Sequence, residues 1–282
     1  MAPPRSYHCE ALTLKKFPMG EADLMVTLFT RDRGKVRAVA KGARRSASRL
    51  VGHLEPLTQA RLSLAQGRTL DHVTQAQVID NFAVLKNDLS AITKGLYVAE
   101  LVDGFGTEAS PNEPLYHLAV EALRSIGQDS DSEWPLRFFE VQLLRVSGLM
   151  PELYQCVDCN QPLSPGRHRF SPSVGGTLCL TCQPAGAHVR PLSLRGLKAL
   201  RLLHRSRLPD ILPLRMDPSL AVELKSLISG SVSYWLDKEI KSNSFLDQLQ
   251  RESKTGVYTK RSTGTAGADS TLRSHSGAVN RS

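Results

Sequence analysis

The chain has 282 residues, 41% of them hydrophobic, with 36 Lys and Arg against 27 Asp and Glu for a net charge of +9. That length suits two modest domains, and no apolar run approaches the roughly 20 residues of a membrane-spanning helix. The early apolar run at 24–29 is too short for a secretory core and follows Glu21 and Asp23, so the expectation is a cytoplasmic protein whose basic surplus attracts polyanions.

Residues 7–80 read as strands. Segment 7–17 alternates, with Cys9, Ala11 and Thr13 on one face and His8, Glu10, Leu12 and Leu14 on the other. Segment 22–30 is apolar and β-rich, and Asp32-Arg33-Gly34 is a tight-turn signature before 35–40. Segments 57–65 and 73–80 follow, joined by Gln66-Gly67-Arg68. Five short strands predict a small barrel. A five-stranded OB-fold fits most simply, with an SH3-like barrel as competitor.

Cations crowd the middle of this region. Arg31, Arg33, Lys35, Arg37, Lys41, Arg44, Arg45 and Arg49 lie on a predicted hairpin and the loop after it, with Asp32 the one acid among them. Such a cluster meets phosphates and binds nucleic acid with little sequence choice. A merely solvated basic face is the bland alternative. The nearby rings, Tyr7, Phe17 and Phe29, all suit a core, so phosphate tracking is favoured over base stacking.

After Asn81 the period becomes helical. Leu85, Leu89, Ile92, Leu96, Val98, Ala99 and Val102 form one stripe, with Gly104 and Gly106 able to end it. Further helices are predicted from Ser110-Pro111-Asn112-Glu113, over 134–147 before Gly148, over 192–204 and over 219–236. Between the third and fourth lie Cys156-Val-Asp-Cys159 and Cys179-Leu-Thr-Cys182. Two such knuckles at this spacing suit one structural Zn²⁺, because a tight turn brings both thiols of a pair to one ion and four thiolates leave no open position. A zinc deaminase needs an H-x-E together with a P-C-x-x-C, and Leu178 precedes Cys179. His168 and His188 read as surface or loop histidines and Cys9 as a small core residue. The expected fold is thus α+β: an OB-fold barrel at 1–80, a helical domain at 81–250 carrying a four-cysteine zinc module at about 154–184, and a disordered tail at 251–282.

The order of these parts resembles the RecO family. Local strings resemble it too: Gly20-Glu21-Ala22-Asp23, Thr30-Arg31-Asp32-Arg33-Gly34-Lys35, Lys41-Gly42-Ala43-Arg44-Arg45, and Leu136-Arg137-Phe138-Phe139-Glu140 with Leu143, Leu144, Gly148 and Leu149. The resemblance implies a non-enzymatic mediator of bacterial recombinational repair at the nucleoid. It would bind single- and double-stranded DNA, anneal complementary strands, and act with RecR to load RecA onto DNA coated by single-strand-binding protein. It would also recognise that protein's acidic C-terminal tail, with Arg137 meeting a carboxylate; an ion pair of Arg137 with Glu133 or Glu140 is the competing reading. Two other readings remain open: a nucleic-acid-processing enzyme with a zinc ribbon, and a protein adaptor without DNA affinity.

Overall fold

Five strands, β1 (Ser6–Met19), β2 (Asp23–Thr30), β3 (Gly34–Ala40), β4 (Gln59–Ala65) and β5 (Asp71–Asp80), close into a barrel in the order β1-β2-β3-β5-β4. The computed structural model describes residues 6–236 except 47, 49 and 186, together with 240, 242 and 246. Arg49 and the tail expected at 251–282 lie outside the described residues. Neighbouring strands run antiparallel except β3 and β5, which pair in parallel through Ala38–Asp71 and Val39–His72. This is the Greek-key barrel of an OB-fold, and it decides against the SH3-like alternative.

β1 buries both faces, which explains its mixed pattern. Cys9 and Ala11 point into the barrel with Leu24, Val26 and Leu64, whereas Leu12 and Leu14 point out into a second core. The helices supply that core. They are α1 (Ala83–Lys86), α2 (Leu89–Phe105), α3 (Glu113–Gln128), α4 (Trp134–Val146), α5 (Leu194–Arg205), α6 (Leu208–Ile211) and α7 (Pro218–Leu236). The stripe beginning at Leu85 is broken in two because the Asp88 carboxylate accepts from the Ala91 amide at 2.7 Å and starts a new helix there. Asn112 and Ser193 cap α3 and α5 in the same way. α4 is buried from Trp134 to Leu144 and packs against α2, α3, α5, α6 and α7. A helix enclosed on all sides is the centre of its bundle.

Segment 150–190 is more ordered than its Pro and Gly content suggests. β6 (His168–Ser171), β7 (Gly176–Leu178) and β8 (Arg190–Leu192) form a sheet in the order β7-β6-β8. His168 is buried on β6, its Nε2 donating to the Ser164 carbonyl at 2.8 Å, so the expectation of a surface or loop histidine is corrected there. Among the described residues no helix is long and apolar enough to cross a membrane.

The barrel docks on the helices through Leu12, Leu14, Phe29 and Leu57, which share one core with Phe82, Leu85, Tyr97 and Leu101. The β2–β3 turn presses on the α2–α3 connection: the Lys35 amide donates to the Thr107 carbonyl at 3.0 Å and the Ala109 amide to the Lys35 carbonyl at 3.3 Å. Gly34 sits in this contact with φ +67°, and a Cβ there would stand 2.1 Å from the Ser110 carbonyl oxygen. Both facts require glycine.

Candidate nucleic-acid interface and metal centre

The cation cluster divides in two. Arg31 pairs with Glu113 at 2.5 Å, Lys35 with Asp103 at 3.4 Å and Arg37 with Glu108 at 2.6 Å. Those acids belong to α2, α3 and their connection, so these cations face the helices across the docking contact. Lys15 joins them, 2.6 Å from Asp103. Burial alone would raise the Asp103 carboxyl, but Lys15 and Lys35 outweigh it and hold it below the usual carboxylate range. Arg33 stacks on the Tyr7 ring at 4.0 Å and lies 3.8 Å from Asp32.

Lys41, Arg44 and Arg45 are different. They are exposed on the turn after β3, and among the described residues none is in an ion pair. The turn is held against the β1–β2 hairpin. The Gly42 amide donates to Asp23 Oδ1 at 2.7 Å, the Arg44 amide to the Ala22 carbonyl at 2.8 Å, and Arg44 Nη1 to the Gly20 carbonyl at 3.0 Å. That hairpin tip exposes Phe17 (47%) and Met19. Phe17, read from sequence as a candidate core ring, is therefore a surface aromatic on the hairpin against which the turn bearing these cations is held. Its place beyond the β1 bulge between Thr13 and Lys15, where the facing of the strand shifts, hid this. The arrangement offers phosphate ligands beside an apolar stacking surface.

The four cysteines converge. Their Sγ atoms all lie within 4.8 Å of one another, with Cys159 and Cys179 4.0 Å apart. A tetrahedral ion with bonds of about 2.3 Å places its sulfurs about 3.8 Å apart, so the cluster fits one. Each knuckle is built by backbone bonds. In the first, the Cys156 amide donates to the Gln161 carbonyl and the Asn160 amide to the Cys156 carbonyl, both at 2.9 Å, with Asn160 at φ +57°. The second leaves the β6–β7 hairpin, and Arg169 braces it by donating to the carbonyls of Leu180 at 2.6 Å and Cys182 at 2.7 Å. Arg169 is a positioning residue that spacing rules do not reveal. Among the coupled thiols, the Thr181 hydroxyl and the Cys182 amide pull Cys179 down towards thiolate, while Cys179 and Asp158 push Cys182 up. The chain's H-x-E string, His53-Leu54-Glu55, lies in the barrel, where Glu55 pairs with Lys16 at 2.5 Å; it contributes nothing to the thiol cluster.

Comparison with known proteins gives the same two-part layout. The family model "Recombination protein O N terminal" matches residues 1–82, and "Recombination protein O C terminal" matches residues 86–244. The chain belongs to the RecO family. Proteins named DNA repair protein RecO from Dehalococcoides mccartyi, Roseiflexus sp. and Desulforudis audaxviator are 33%, 36% and 36% identical to it. The alignments cover 89%, 89% and 87% of this chain and 99%, 88% and 98% of those relatives.

In this RecO-family chain Arg137 lies inside the helical bundle, 1% exposed. Its Nη1 is 2.7 Å from Glu140 Oε2 and 3.2 Å from Ser229 Oγ, and its Nε is 3.8 Å from Glu133. Glu140, wholly buried, also accepts from the Tyr97 hydroxyl at 2.6 Å. Burial raises its carboxyl, and Arg137, Tyr97 and Ser229 pull it only part of the way back. A partner's carboxylate would have to displace Glu140 or Glu133 to reach Arg137.

Proposed function

We propose that this chain is a non-enzymatic DNA repair and recombination factor that binds single- and double-stranded DNA and anneals complementary strands. The observation that carries the reading is the turn holding Lys41, Arg44 and Arg45, which are outside any ion pair among the described residues and tied to a hairpin exposing Phe17. Cations there neutralise phosphates of either strand and lower the repulsion that slows annealing. Arg31, Arg33, Lys35 and Arg37 contribute long-range potential while remaining engaged locally. The name of the relatives, DNA repair protein RecO, supports the process. The family resemblance supports the partners: RecR, the acidic tail of single-strand-binding protein, and through them RecA, at the bacterial nucleoid. One structural Zn²⁺ on Cys156, Cys159, Cys179 and Cys182 completes the proposal, since four thiols suit that ion and leave no position for a substrate.

The test replaces Arg44 and Arg45 with Ala. Binding should weaken about equally for unrelated sequences, and the slope of log affinity against log salt should become shallower by roughly 0.7 per lost contact on a single strand. Annealing should fall with it. An unchanged slope with full annealing rejects this turn as the DNA contact, and turnover of nucleic acid by the pure chain would favour the processing enzyme instead.

A further inference from the structure

A second basic groove lies along α5, remote in sequence from the barrel turn. It encloses about 600 Å³, and its charged lining is Arg195, Lys198, Arg201 and Arg205, all cationic. α5 is amphipathic: Leu197, Leu200 and Leu203 are buried against the bundle, leaving the cations on the other face. At steps of three and four residues they stand about 4.5–6 Å apart along the axis. Leu202 and Leu220 line the groove with them, and Tyr154, 40% exposed, stands at its edge. Arg201 is preset there. Its Nε and Nη2 donate to the Leu153 carbonyl at 2.9 and 2.7 Å, and the guanidinium lies 4.8 Å from the Tyr154 ring centre.

Local structure accounts for part of this charge. Arg205 complements the helix C-terminus, and Arg195 pairs with Asp217. It does not account for Lys198, which sits mid-helix, is exposed, and is in no ion pair among the described residues. We propose that the α5 groove holds a second nucleic-acid strand, with phosphates on Lys198, Arg201 and Arg205 and a base against Tyr154. The inference rests on the annealing reading and deepens it, because annealing requires two strands on one protein. A regular row of cations matches a repeating phosphodiester, and an exposed ring beside a guanidinium is a base platform.

The experiment uses the full chain with Lys198→Glu and Arg205→Glu, both exposed positions. Oligo-dT of about eight nucleotides, within one barrel-domain site size, is titrated into wild type and variant. Wild type should bind two strands per chain and the variant one. First-strand affinity should stay within about twofold, as expected of independent sites, while annealing falls roughly tenfold. In wild type, a strand carrying 5-iodouridine should cross-link to Tyr154. A variant that still takes two strands and anneals like wild type overturns the proposal, as does the absence of a Tyr154 cross-link. Loss of polyglutamate binding with the second strand retained would make the groove a peptide site and also overturn it. A wild-type chain that binds no strand at all sinks the annealing reading, and this one with it.

Discussion

Replacing Arg137 with Leu should be among the most damaging single changes in the chain. Arg137 and Glu140 are 1% and 0% exposed, with 2.7 Å between Nη1 and Oε2. Removing the cation leaves a carboxylate buried in the bundle, facing the Tyr97 and Ser229 hydroxyls among the described residues. Breaking such a pair from one side costs about 3–5 kcal/mol, a large share of a total stability of about 5–15 kcal/mol. At an m-value of about 2.5 kcal/mol per M, the urea midpoint should drop by roughly 1–2 M. The deficit should depend on pH. Without Arg137 the folded Glu140 pKa climbs further above its ordinary value of about 4.3. Folded protein then binds that proton more tightly than unfolded protein, so stability declines as pH rises through this window and recovers as pH falls back. Arg137→Leu with Glu140→Gln should regain most of the loss, because the amide still accepts from Tyr97 and carries no charge. Urea titrations at several pH values provide the assay. An Arg137→Leu midpoint within error of wild type at pH 7, or a double variant no better than the single, would refute the reasoning.

Cys179→Ser should abolish binding of one metal per chain and lower the melting temperature, whereas a metal-free wild type that is fully folded by elemental analysis and circular dichroism would exclude a structural ion. Gly34→Ala should destabilise by at least about 2 kcal/mol, combining left-handed strain with a collision at the Ser110 carbonyl; an unchanged melting temperature would mean that the barrel does not dock through this turn. Asp103 is held below the usual carboxylate range, so its contribution is present above an ordinary value of about 3.9 and is lost as pH falls through the folded value. Asp103→Asn should therefore flatten the loss of stability below about pH 4, which denaturation at stepped pH would detect.

Local patterns carried well from sequence to structure. The cysteine knuckles were legible because ligand spacing within a pair is a property of two or three residues. The barrel strands were legible from their β-rich, partly alternating runs, α3 from its Ser-Pro-Asn-Glu start, and α5 from its period. Long-range pairing was not. Arg31 finds Glu113 82 positions away and Lys35 reaches Asp103 68 positions away, so nothing near them marked these cations as engaged. For Arg137 the acids at i−4 and i+3 were visible, but the enclosing partners Tyr97 and Ser229 are 43 and 89 positions from Glu140. Burial of α4 on every side is a tertiary fact that its own mixed composition conceals. The basic face of α5 was present in the sequence, yet only the fold places Tyr154 beside it.

The net charge of +9 therefore understates how the cations are sorted. Arg31 on the β2–β3 turn and Lys35 and Arg37 on β3 oppose acids of the helical bundle and strengthen docking, while Lys41, Arg44 and Arg45 after β3 and Lys198 and Arg205 on α5 are left facing solvent. The two groups answer salt differently. Docking rests chiefly on Leu12, Leu14, Phe29 and Leu57 in a shared apolar core, which ionic strength does not weaken. Contacts with phosphates are screened over about 8 Å at physiological salt and lose their counterion-release advantage as salt rises. A salt range should thus exist in which bound strands leave and the barrel stays seated on its helices. Under the proposed annealing function, release of the duplex would then need no separation of the two parts of the chain, only competition for the exposed cations.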